Sequence, residues 1–164
     1  MKNPFVYILL LAFLTGIQSG CKKDDPDDEN NNDNGQKTQV TFTIGDETYK
    51  LHNGNATVTD TYIQVVATKT ESDEDYTFQM HLPGGVGVWD TDEFNFNCGK
   101  DIAYCANETS VDFGADLVIE ITQTNPGLKG VFYGKVVQCM TANPPVKEIV
   151  DGVIEFDEED VLRY

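Results

Sequence analysis

Apolar and polar residues alternate with a period of two through most of this chain, and no other feature constrains its fold as much. Val40, Phe42 and Ile44 are separated by Thr41 and Thr43, and Tyr49 and Leu51 by Lys50. Tyr76, Phe78, Met80 and Leu82 are separated by Thr77, Gln79 and His81. Successive side chains of a strand point to opposite faces, so this pattern gives a strand with one buried face. Ile63, Val65 and Ala67 continue it, as do Phe94 with Phe96, and Leu117, Ile119 and Ile121. Val131 to Cys139 reads as a long β-branched strand and Ile149 to Phe156 as the last clear one. Gly45-Asp46 is placed to turn a hairpin, and "ESDED", "PGGVG", "NPG" and "NPP" break the remaining runs. No segment holds a helical period. The expectation is an all-β domain, an antiparallel β-sandwich of about eight or nine strands, with a closed or partly open β-barrel as the alternative that periodicity alone does not separate.

The N-terminus has a different character. Lys2 precedes an unbroken apolar run from Phe5 to Leu14, and small and polar residues lead to Ser19-Gly20-Cys21. A charged start, a short apolar core and a small-residue cut site predict a signal peptide over residues 1–20. The apolar run is shorter than the roughly 20 residues that span a bilayer. Residues 21–38 are mostly Asp, Asn, Glu and Gly, too polar to offset the entropy of ordering, and predict a disordered acidic tether. Eighteen such residues reach at most about 60 Å, and average about 25 Å as a coil. Residues 39–164 are then one domain with chain enough for one core.

That domain holds seven Lys and Arg against 22 Asp and Glu, a formal charge of −15 within the −17 of the whole chain. A field of that sign repels nucleic acid, so no nucleic-acid partner is expected. It does not name a partner, and a merely solvated acidic surface is the preferred reading.

The sequence Ser19-Gly20-Cys21 resembles a bacterial lipobox, although Gln18 stands where that family usually has Leu. The resemblance implies that Cys21 is lipidated and becomes the mature N-terminus, which anchors the chain to a membrane. Lys22, Lys23, Asp24 and Asp25 resemble the export signal of Bacteroidetes-type surface lipoproteins, which implies display on the outer face of the outer membrane. "GLKGVFYGKVV" followed by "KEIVDGVIEFD" is similar to the end of a β-rich domain family of such lipoproteins, whose members have no assigned activity. Gly130, Phe132, Gly152 and Phe156 stand at that family's glycine and aromatic positions, and Trp89 fits its upstream aromatic. The likeness implies fold and location and adds no chemistry. In that bacterial setting the sequons at Asn55 and Asn107 are read as chance.

Three cysteines remain. Outside the cytosol a disulfide is permitted, and Cys98 with Cys105, across the short loop "CGKDIAYC", is the favoured pair, which leaves Cys139 free and buried. Loop closure is worth about 2.5 kcal/mol there and about 4 kcal/mol for Cys105 with Cys139, and stability does not choose between them. A zinc site would need a fourth ligand close to these cysteines, and His52 and His81 are remote in sequence. His81 is expected on the solvent side of its strand.

Ser72 and Ser110 lie in no Gly-x-Ser-x-Gly elbow, and no Gly-rich phosphate loop leads from a strand into a helix. Carboxylates are too abundant to mark a site. The chain is therefore read as a non-enzyme that uses no cofactor. Calcium is the one metal considered, at Asp90, Asp92 and Glu93 or at Asp157 to Asp160, and solvated turns are the preferred reading of both clusters. Trp89, Asp90 and Asp92 could form a sugar-stacking site, or Trp89 could plug the end of the core, which is the preferred reading. Two functions follow as expectations. The main one is a surface-displayed binding or interaction module for a glycan or protein. The alternative is a structural or assembly subunit of a larger surface complex.

Overall fold

The structure, a computed structural model, describes residues 37, 39–71, 74–90, 93–99 and 102–164. The expected signal peptide, Cys21, Lys22, Lys23, Asp24, Asp25 and Asp92 lie outside the described residues. Strands β1 (Val40–Ile44), β2 (Glu47–Leu51), β3 (Asn53–Val58), β4 (Tyr62–Glu71) and β5 (Glu74–Pro83) come first. They are followed by β6 (Gly87–Asp90), β7 (Glu93–Cys98) and β8 (Ile102–Asn107). A one-turn helix, α1 (Glu108–Val111), precedes β9 (Asp116–Gln123), β10 (Leu128–Gln138) and β11 (Val146–Phe156). A 3₁₀ turn at Glu158–Asp160 leads into β12 (Val161–Arg163).

All 12 strands belong to one hydrogen-bonded sheet, whose main path runs β12-β3-β4-β5-β7-β8-β10-β11-β1-β2. The pairs are antiparallel except β12 with β3, so the sheet is mixed. β6 and β7 follow one another along one line, and β8 and β9 along the next. β6 pairs with β9 and β7 with β8, so α1 is an excursion between two lengths of one strand line. β10 borders that line, with residues 129–135 against β9 and residues 137–138 against β8.

The sheet curls into an open half-barrel. Phe42 on β1 packs on Phe96 of β7 at 4.8 Å and on Phe78 of β5 at 5.7 Å, although β8, β10 and β11 intervene in the hydrogen-bonded order. Opposite walls thus face each other as in a sandwich, but hydrogen bonding continues from one wall to the next. The expectation of an all-β chain holds, and the partly open barrel describes the curl better than two separate sheets. More strands form than alternation marks, because β3, β6, β8 and β12 are short or irregular in pattern.

The inward residues are those the alternation selects: Phe42, Ile63, Val65, Phe78, Phe94, Phe96, Ile119, Ile121 and Phe132 are fully buried. Burying an aromatic or aliphatic side chain contributes about 1.5–3 kcal/mol, so this cluster dominates stability. The β1–β2 hairpin turns at Gly45, whose φ of 63° suits the first central position of a two-residue turn.

β11 carries the main irregularity. Phe132 pairs with Gly152 and Gly134 with Ile149, so Tyr133 faces two residues, Val150 and Asp151. Against β1 the register also shifts over the same stretch. Asp151 is the extra residue, held at φ 55°. Gly152 lies under the Phe132 ring, and a Cβ there would come within 2.7 Å of it. This cross-strand aromatic-over-glycine contact gives a packing reason for a glycine opposite Phe132.

Candidate functional site

A disulfide joins Cys105 to Cys139, with Cα atoms 5.9 Å apart, and no described cysteine is free. This corrects the Cys98–Cys105 pairing, and the reason is register. Cys105 pairs with Asn95 and Cys98 with Ile102, which separates the two cysteines by about 10 Å along the strands, beyond the span of a bridge. They also face opposite ways: Cys98 follows Phe94 and Phe96 to the inner face, and Cys105 takes the outer one. Cys139, expected free and buried, is bonded and exposed in the turn after β10. Its N–H donates to the Ala103 carbonyl at 2.8 Å, which brings it to Cys105. The bridge staples the β8–β10 seam, where only Val137↔Cys105 and Gln138↔Tyr104 are paired.

At one end of the half-barrel, Phe96 is surrounded by the rings of Tyr49, Tyr76 and Tyr104. Tyr49 donates its hydroxyl to Glu47 at 2.5 Å, and Tyr76 to Glu74 at 3.3 Å. Burial, and then the Glu47 carboxylate, push the Tyr49 phenol far above its ordinary pKa. Burial, with a smaller effect of Glu47, raises Tyr104 in the same direction. These hydroxyls remain neutral across the physiological range and seal the aromatic core with polar tips.

Trp89 and Asp90 are neighbours on β6 and point to opposite faces. Trp89 is half-buried against the core, and its Nε1 has no hydrogen-bond partner. Asp90 is exposed. Trp89 thus rests against the core while Asp90 points away from it. His81 is exposed, as its strand position implies, with Nδ1 4.0 Å from Glu93. Of the second acidic cluster, Asp157 accepts from Lys37 Nζ at 2.9 Å, and Glu158, Glu159 and Asp160 form the 3₁₀ turn. Among the described residues no group of three or more His, Cys, Asp and Glu is arranged to hold a metal, and no helix is long and apolar enough to cross a membrane. Asn107, of the second sequon, caps α1 by accepting from the Ser110 N–H at 3.0 Å.

The outer face of β10 and β11 was not anticipated as a site. Val131 (38% exposed), Tyr133 (52%), Val150 (39%) and Val153 (42%) lie side by side there. They border a groove of about 490 Å³ opened over the β11 bulge, whose charged lining residues are Glu148 and Asp151. Charged rungs frame this apolar panel at both ends. Lys129 is paired with Glu155, with Nζ 3.1 Å from the carboxylate, and Lys135 faces Glu148 across the rung. Lys129, and then Lys37, hold the Glu155 carboxyl below its usual pKa. The panel therefore has an apolar centre and a charged rim. A signal for it exists in the sequence: Val131, Phe132 and Tyr133 are consecutive apolar residues, which load both faces of one strand.

No family model matches the chain, and comparison with curated proteins and with solved structures gives no match.

Proposed function

We propose that this chain is a non-catalytic structural or assembly subunit of a cell-surface complex, held at the outer membrane by a lipid on Cys21. The observation that carries this reading is the framed apolar panel on β10 and β11. Its support comes from contrast. The interior is filled by interlocking aromatic rings, and the expected sugar-stacking residues Trp89 and Asp90 face apart. The outer panel is one place where apolar surface is still to be buried, and it borders a groove. The resemblance to Bacteroidetes-type lipoproteins belongs to the same reading and supplies location: Cys21 is the anchor, Lys22 to Asp25 the export signal, and the acidic tether the spacer.

Sizing of gently solubilised native membranes tests the assembly. The chain should migrate in a complex larger than itself, of fixed composition, and Tyr133→Lys should release it while the domain stays folded. A wild-type chain that migrates alone, and whose melting temperature rises with a glycan, ends this reading in favour of a ligand-binding module. Intact-mass measurement tests the anchor separately: a lipid adduct on a chain beginning at Cys21 is expected, and a mature chain that keeps Lys2 overturns it.

A further inference from the structure

We infer that the β10–β11 panel docks a second copy of this chain, face to face, about a two-fold axis that runs parallel to the strands between β10 and β11. The inference rests on the assembly reading and names its first partner.

The argument lies in which strand carries which residue. β10 has a lysine at each end of the panel, Lys129 and Lys135, and β11 has a glutamate at each end, Glu155 and Glu148. A two-fold axis parallel to the strands keeps heights along them and exchanges left for right. It therefore lays β10 of each copy over β11 of the other, rung upon rung. Lys129 then meets Glu155 of the second copy, and Lys135 meets Glu148. Inside this frame Val131 lies over Val153, its own partner in register. Tyr133 lies over the bulge, where its hydroxyl can donate to the Asp151 carboxylate within the groove. Every rung of the panel is thus complementary to itself. A foreign partner would not require that property.

Charge also sets the character of this contact. The whole chain carries −17, so two copies repel at long range, while the panel itself is bounded by balanced pairs. Added salt shortens the Debye length from about 30 Å at 0.01 M to about 8 Å at 0.15 M. Distant repulsion is then screened and the apolar contact is left intact, so association should strengthen over that range. The panel is smaller than the roughly 800 Å² per partner of a standard interface, so the dimer should be weak and concentration-dependent.

Sedimentation of the purified full-length chain from micromolar to millimolar concentration reads the dimer directly. Lys135→Glu and Glu148→Lys each place like charges in both symmetric contacts, and each should weaken association about tenfold. Mixing the two variants is the decisive arm. In the mixed dimer both intermolecular contacts regain opposite charges, while each chain's own rung still holds like charges. Recovery on mixing therefore supports docking between copies, and circular dichroism confirms that both variants fold. A wild-type chain that stays monomeric throughout, or variants that show no recovery when mixed, overturns the proposal. If the chain is monomeric and yet migrates with a fixed different protein that Tyr133→Lys releases, the assembly reading stands and self-docking falls. If neither occurs, both fall.

Discussion

The two faces of β10 and β11 are built from the same residue types and do opposite things. On the inner face Phe132, Val136, Ile149, Ile154 and Phe156 are buried among rings from distant strands. On the outer face Val131, Tyr133, Val150 and Val153 stand 38 to 52% exposed. Valines and aromatics occur on both sides, so hydrophobicity alone does not distinguish them. What distinguishes them is the curl: its concave side supplies neighbours at van der Waals distance, and its convex side supplies none. Burial within one chain stabilises the fold, and an exposed apolar face stabilises only what covers it.

Substitutions should separate the faces by the size of their effect. Phe132→Ala removes a ring that meets Phe42, Phe78 and Phe94 at centroid distances of 5.6, 5.6 and 6.1 Å. It should cost about 3–5 kcal/mol in denaturant melts, and a cost under about 1 kcal/mol would mean that the inner wall is not the core described here.

The outer face has one stretch where it does hold the fold together. Replacing Cys105 and Cys139 by alanine opens the staple on the two-rung β8–β10 seam. The chain-entropy model for a closure of 34 residues gives about 4 kcal/mol, with about 2–4 kcal/mol typical of measured bridges. Reduction of the wild type should lower the melting temperature by at least as much, since Cys98 is disulfide-bonded as well. Non-reducing peptide mapping that instead links Cys98 to Cys105 would undo the seam argument.

A third effect depends on pH. Tyr49 has a folded-state pKa raised above its unfolded value near 10. Above pH 10 the unfolded chain therefore loses this proton while the folded chain keeps it, and stability falls as pH rises further. Below pH 10 the group contributes no slope. Tyr49→Phe should flatten the alkaline limb of the melting-temperature profile; an unchanged limb would show that the Tyr49–Glu47 contact does not hold in solution.

The smallest effect on stability belongs to the panel. Tyr133→Ala should change unfolding free energy by no more than about 0.5 kcal/mol, as exposed positions generally do, while association is lost. A destabilisation like that of Phe132→Ala would erase the distinction between the faces.

Much of the inner face could be read from the sequence. Tyr76, Phe78, Met80 and Leu82 alternate strictly and are all buried, and the Gly45-Asp46 turn lies where the pattern breaks. The outer face could not be read as easily, because a period of two identifies sides but does not say which strands lie beyond them. Tyr133 and Val131 fit a strand buried on both faces as well as one with an exposed apolar panel. The cysteines failed for a related reason: sequence proximity favoured Cys98 with Cys105, whereas strand register brings Cys139 to Cys105 from 34 positions away. Trp89 with Asp90 shows the same limit, since adjacency on a strand means opposite directions. The curl itself follows from how wide the sheet grows and how its irregular strands bend it, and alternation carries neither.

The bulge on β11 has a consequence for chain length. Ile149, Gly152, Ile154 and Phe156 all face inward, so one step of three interrupts a series of twos. Asp151 accounts for that odd step. Outside the bulge the loss of one residue from β11 would turn every following side chain to the wrong face. Loss of either Val150 or Asp151 would leave 149, 152, 154 and 156 in strict alternation, with the same residues inward. The bulge is the one place in the strand where length and facing are uncoupled. A lineage of such chains could shorten there, surrender the groove, and keep its core.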